Sequence, residues 1–209
     1  MEKDECKILN NNKNLIVCFG GLKLSMHRIL PFEFLRYLSS VYTNSCDLCF
    51  YIDRNQCWYH KGIYGITNNI DETVSYLQDL IKNYEKVIFI GVSAGGYAAI
   101  LFGSLCNISN VVSFIPQTIL YKPIHPKYTN LKHIINNTTQ YLLYGDPSIK
   151  SVGNPNVEYM NINNLHHIRH CNNLQEFKNV KIIKKNNCNL KQLRDEGVIK
   201  KIIDDIIYK

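Results

Sequence analysis

The sequence predicts a single-domain, three-layer α/β protein spanning residues 1–209, with a mainly parallel sheet of about six strands and helices on both faces. Three observations carry this reading. Short unbroken apolar runs, such as Leu15-Ile16-Val17-Cys18-Phe19 and Val87-Ile88-Phe89-Ile90, suit strands covered on both sides rather than strands with one wet face. Stretches with helical spacing separate these runs, as right-handed βαβ crossovers require. Gly91-Val92-Ser93-Ala94-Gly95-Gly96, of the form G-x-S-x-G, joins one such run to a small-residue helical stretch, which gives a strand, a sharp turn and a helix.

In chain order, Leu15 to Phe19 is a central strand ended by Gly20-Gly21, and His27 to Ser40 is a helix with Pro31 near its start. Cys46 to Ile52 is the next strand, followed by a loop from Asp53 to Gly62. Asn69 is a helix N-cap with Glu72 three residues on, and Val74, Leu77, Ile81 and Tyr84 keep helical spacing after it. The strand Lys86 to Ile90 and its helix come next, then a strand Val111 to Ile115 and a turn at Pro116. Tyr121 to Asn137 reads as irregular and partly helical. Gln140 to Tyr144 and Val180 to Ile183 are the last two strands, and Leu190 to Tyr208 is one closing helix.

A serine between strand and helix in this pattern is the nucleophile of a nucleophile elbow, with its hydroxyl above the sheet edge. The N–H of Ala94, and that of Gly21 or Leu22 on the loop after the first strand, then face a developing oxyanion. The alternative is a glycine-rich turn whose serine caps a helix.

Strand-Gly-Gly, strand-GVSAGG-helix and Tyr141-Leu142-Leu143-Tyr144-Gly145-Asp146, in that order, resemble the α/β-hydrolase superfamily in compact form over nearly the whole chain. More narrowly, Phe19-Gly20-Gly21-Leu22, Pro31-Phe32-Glu33-Phe34, Trp58-Tyr59-His60-x-Gly62, Ser93-Ala94-Gly95-Gly96-Tyr97 and Phe114-x-Pro116-Gln117-Thr118 are similar to a group of small bacterial hydrolase-like proteins, some of which accompany glycan or capsule synthesis. The resemblance implies a serine-dependent acyl ester hydrolase or acyltransferase without a cofactor. It places the acid at Asp146, a residue that equally suits an Asx-turn cap. It also implies a histidine after the last strand, where this chain has Cys188. A thiol with an ordinary pKa near 8.5 is a poor general base.

Histidines gather instead at His166, His167 and His170. On a helix His166 and His170 share a face, so three readings stand there: a solvated polar face, a catalytic base from His167 or His170, or a metal pair. His60, with Trp58 and Tyr59, lies on a loop leaving the top of a strand, where such folds bind ligands, and the two aromatics suit stacking on a sugar or packing at the rim. The functions in view are therefore an enzyme acting on a small-molecule or carbohydrate ester, a weakened member that binds a glycan or partner, and a metal-dependent hydrolase.

Composition narrows the classes. The net charge of +7 comes from lysines scattered through loops and the C-terminal third, without an Arg-rich patch interleaved with aromatics, so nucleic acid is not an expected partner. The stretch Met1 to Asn14 is charged and polar, which predicts neither a signal peptide nor a membrane span and favours the cytoplasm. Eight cysteines without a small-domain framework predict free thiols. Cys46 and Cys49, three apart in a strand, point to opposite faces and cannot share a zinc ion, so no metal site is expected there.

Overall fold

Seven strands form one sheet in the order β1-β3-β2-β4-β5-β6-β7: β1 (Glu5–Ile8), β2 (Asn14–Phe19), β3 (Asp47–Tyr51), β4 (Lys86–Val92), β5 (Asn110–Phe114), β6 (Gln140–Gly145) and β7 (Val180–Lys184). All neighbours are parallel except β1, which runs antiparallel to β3. The computed structural model describes residues 4–22, 32–120, 125–148 and 167–209, with nothing of the His167 side chain.

Alternation along the strands divides the core in two. Leu15, Val17, Phe19 and Phe89 face one layer with Leu77 of α2 (Ile70–Ile81), Tyr97 and Phe102 of α3 (Ala94–Leu105), and Cys171 of α4 (His167–Asn172). Ile16, Cys18 and Ile90 face the other, with Leu38 and Tyr42 of α1 (Leu35–Tyr42), Leu193 of α5 (Leu190–Asp195), and Ile199, Ile202 and Ile203 of α6 (Val198–Ile207). The fold is the three-layer α/β arrangement that the apolar runs lead one to expect. Cys46 and Cys49 join opposite core layers, as their spacing requires, and every cysteine is a free thiol.

Three elements differ from the sequence reading. The polar N-terminal stretch contains β1, a short edge strand in which Cys6 and Ile8 pack on the core. Lys7 Nζ reaches Tyr76 Oη (2.6 Å), which in turn donates to Glu5. Charged side chains on an edge are how sheets discourage further pairing, and they hide the strand in a hydropathy scan. The helix expected over His27 to Ser40 is described only from residue 32. Phe34 is left-handed (φ 68°), and α1 starts after it. The closing helix is two helices, because Gly197 takes φ 70° and its N–H donates to Arg194 O (2.9 Å), a glycine C-cap.

The cap at Asn69 forms as read: its Oδ1 accepts Glu72 N–H at 2.8 Å, and the Glu72 carboxylate returns to Asn68 N–H at 2.9 Å. Among the described residues no helix is long and apolar enough to cross a membrane.

Strand order fixes where a site can lie. From β2 the chain moves outward to β3 and then returns across β2 to β4, so the direction of winding reverses between β2 and β4. Loops at the carboxyl ends of these two strands diverge and leave a crevice. Gly20-Gly21 follows β2, and Ser93 follows β4.

Candidate active site

Ser93 stands between β4 and α3 with φ 53° and ψ −115°. A non-glycine residue there carries strain of about 1–3 kcal/mol, which persists only where the surroundings over-determine it. They do so here: Ser93 N–H donates to Phe114 O (2.9 Å), and Ser93 O accepts Tyr97 N–H (3.0 Å) and Gln117 N–H (3.4 Å). The turn also needs two glycines. A Cβ on Gly95 would lie 2.0 Å from Phe19 O, and one on Gly91 would lie 2.1 Å from Gly95 O, so strand and helix meet backbone to backbone. Ser93 itself is partly exposed, while α3 behind it is almost wholly buried.

The loop after β2 touches the elbow. A Cβ built on Gly21 would sit 3.0 Å from Val92 O and 3.6 Å from Ser93 Cβ. Gly20 N–H extends the ladder to Tyr51 O (2.9 Å), and the Tyr59 hydroxyl lies 3.0 Å from Gly20 O. Of the oxyanion donors considered, Ala94 opens α3 directly after Ser93, Leu22 follows Gly21, and Gly21 N–H is already taken by Glu33 Oε2 at 2.7 Å. Glu33 stands within the motif Pro31-Phe32-Glu33-Phe34, which carries the resemblance but gives this carboxylate no role of its own. A contact across the site from a residue 12 positions away leaves no periodic signal.

Asp146 follows β6 and is buried. Its Oδ1 accepts Ser148 N–H (2.8 Å) and Oγ–H (2.5 Å), the Asx-turn role; its Oδ2 accepts Cys188 N–H (2.8 Å). The acid position and the slot after the last strand therefore meet. Burial first, and then the Asp146 charge, push the Cys188 thiol up to about 12, so it stays protonated at neutral pH and takes no proton from a serine. Cys188 packs in the apolar layer with Phe114 and Tyr144.

The histidines divide differently from the sequence reading. His170, on α4, is buried; its Nδ1 accepts Thr118 N–H (3.2 Å), and its carbonyl accepts the Thr118 hydroxyl (2.7 Å). A ring that accepts at Nδ1 carries its neutral-state proton on Nε2, the wrong tautomer for a base acting through Nε2. His166 lies outside the described residues, and so does the side chain of His167. Among the described residues there is no group of three or more His, Cys, Asp or Glu fit to hold a metal ion.

Trp58, Tyr59 and His60 do gather at the elbow, but only Trp58 is on the rim. Its Nε1–H donates to Gln117 Oε1 (2.5 Å), and Gln117 N–H reaches Ser93 O. Tyr59 is fully buried, so it supports the Gly20 loop from beneath and offers no face to a ligand. His60 is also buried: Nδ1 accepts His125 N–H (3.1 Å) and Nε2 lies 2.8 Å from Tyr97 Oη, which donates to Tyr128 O (2.7 Å). It is a satisfied core histidine, not a substrate contact. Asp53, where the loop begins, carries no local signal of its role. It builds this loop by accepting Cys57 N–H (2.6 Å) and Tyr59 N–H (3.0 Å) while Trp58 and Tyr59 hold φ 57° and 62°, and burial keeps its carboxyl above the usual range despite these bonds.

Burial first, and the nearby His125 second, lower His60 to about 4 from its ordinary 6.5. The unfolded chain therefore binds this proton first as pH falls, and the stability it withholds is lost between about pH 6.5 and 4. The loss is about 2 to 3 kcal/mol. Urea midpoints at pH 7 and about pH 4.5 should fall more steeply for the parent than for His60→Asn; equal slopes would show that His60 does not titrate in this window.

No family model matches this sequence, and no curated protein matches it. Solved structures do. A capsule O-acetyltransferase of Neisseria meningitidis serogroup A, in complex with CoA, aligns with a TM-score of 0.62 at 13% identity over 91% of this chain and 87% of that one. The fluorophosphonate-binding serine hydrolase F of Staphylococcus aureus gives 0.61 at 10% identity over 95% and 85%, and Est1E of Butyrivibrio proteoclasticus gives 0.57 at 9% over 98% and 93%. At such identities the likeness is one of fold: the chain has the α/β-hydrolase fold.

Proposed function

We propose that the protein is a serine-dependent acyl ester hydrolase or acyltransferase in which Ser93 is the nucleophile. The observation that supports this most is the strained, positive-φ Ser93 backbone at the reversal point between β2 and β4, with Gly21 against it. Ser93 Oγ attacks the ester carbonyl and gives up its proton to a base. The tetrahedral oxyanion collapses to an acyl-serine as the alcohol leaves with a proton, and water or an acceptor hydroxyl then takes the acyl group. Because His170 Nδ1 accepts Thr118 N–H, we favour His167 over His170 as the base. A carbohydrate carrier is supported by Trp58 on the rim and by a neighbour named as a capsule O-acetyltransferase.

Glu33 matters to this step. An oxyanion and the Glu33 carboxylate compete for one Gly21 N–H, and two like charges a few ångströms apart repel by about 1 to 4 kcal/mol. Glu33→Ala should raise kcat/KM for p-nitrophenyl acetate about tenfold, since one oxyanion donor is worth more than that. A folded variant with unchanged or lower kcat/KM would remove Gly21 from the oxyanion hole. Ser93→Ala should abolish turnover in either background.

A second reading, a weakened hydrolase fold kept for binding a glycan or partner, rests on Cys188 beside Asp146. It predicts glycan binding that survives Ser93→Ala, together with a parent that turns over no ester.

A further inference from the structure

Between α1 and α5, next to the site, lies a cavity of about 220 Å³. Phe32, Phe34 and Leu190 supply its apolar lining, and Arg36, Lys191 and Arg194 stand at its mouth as exposed cations. Both walls start from residues already described: Phe32 and Phe34 flank Glu33, whose carboxylate is on Gly21, and Leu190 is two residues from Cys188, whose N–H is on Asp146. Lys191 and Arg194 are one turn apart on α5 and so share a face.

The charges are uneven. Arg194 is shared with Asp195 (2.7 Å), whereas neither Arg36 nor Lys191 has a carboxylate partner among the described residues. Three cations less one carboxylate leave about two positive charges at the mouth of an apolar pocket, in which guanidinium and ammonium groups suit phosphate oxygens. A phosphomonoester carries about −1.5 to −2 at pH 7 and matches this, where a monocarboxylate leaves one charge unanswered. The volume equals that of about seven waters, enough for a phosphate and the first ring or alkyl segment of its carrier.

We propose that this cavity is a subsite for a phosphate group joined to an apolar moiety, carried by the acyl donor or acceptor that Ser93 serves. As a substrate subsite it rests on the acyl-transfer reading; as a phosphate site it does not.

The test is calorimetric titration of phenyl phosphate into the parent, Ser93→Ala, R36A/K191A and Leu35→Trp. Leu35→Trp narrows the cavity without touching a charge. Parent and Ser93→Ala should bind alike, and R36A/K191A should bind about tenfold or more weaker, the loss expected for charge-assisted bonds. Leu35→Trp should weaken binding while leaving the response to inorganic phosphate unchanged. Benzoate binding as tightly as phenyl phosphate would overturn the dianion match. Equal binding by the parent and R36A/K191A, or none by the parent, would overturn the site. Phenyl phosphate bound with these dependences, in a protein whose Ser93 takes no fluorophosphonate, would keep the phosphate site and refute the acyl-transfer reading instead.

Discussion

Gly95→Ala should leave the protein unfolded or severely destabilised. The added methyl would meet Phe19 O at 2.0 Å, Phe19 C at 2.6 Å and Gly20 C at 2.7 Å, all backbone atoms of the central strand β2 or the loop that leaves it. A flexible side chain yields to such a clash, but a strand paired on both sides does not. Ordinary overpacking costs about 1 to 3 kcal/mol, so at least about 3 kcal/mol is expected here. For a chain of this size that lowers Tm by about 6 to 12 °C. Gly197→Ala is the control: it has open space around it, and its φ of 70° alone should cost about 1 kcal/mol. A thermal melt in which Gly95→Ala loses no more than Gly197→Ala would mean that α3 does not press on β2 as described.

Cys188→His should raise esterase activity by about one to two orders of magnitude. The buried thiol, pushed up to about 12, is no base, and Asp146 Oδ2 already reaches the Cys188 backbone at 2.8 Å. An imidazole there would meet the carboxylate that orients such rings in serine triads, whose loss elsewhere leaves only about 10³ to 10⁴-fold acceleration over water. The gain is held below the full triad effect because His167, the base we favour, already serves the parent, and because a larger ring must enter a buried site, at about 1 to 3 kcal/mol. Initial rates with p-nitrophenyl acetate check this, with Cys188→His/Asp146→Asn as the companion variant. The second change should cancel the gain by favouring the wrong tautomer. A folded Cys188→His protein no faster than the parent would show that the slot does not address Ser93.

The elements that set the fold were legible because burial on both faces writes itself into unbroken apolar runs, and because a strand-to-helix turn as tight as Gly91 to Gly96 demands glycine. The Asn69 cap was legible for the same local reason. What escaped the sequence is non-local or masked by charge. β1 hides behind Glu5 and Lys7. The break at Gly197 had its signal, a glycine after Asp195-Glu196, but the apolar spacing of Leu193, Val198 and Ile202 continues across it. His60 reads like a site residue until His125 N–H and Tyr97 close around its ring, and Glu33 is one letter of a motif without a role until it meets Gly21. Both depend on contacts between distant loops, which no spacing encodes.

Whether Ser93 is the nucleophile is read from the mass and position of a fluorophosphonate adduct on the intact protein. One phosphonylated residue is expected, mapped to Ser93 by peptide sequencing, absent from Ser93→Ala and formed faster in Cys188→His. An adduct on any other residue, or a parent that stays unmodified while Cys188→His stays unmodified too, would contradict it.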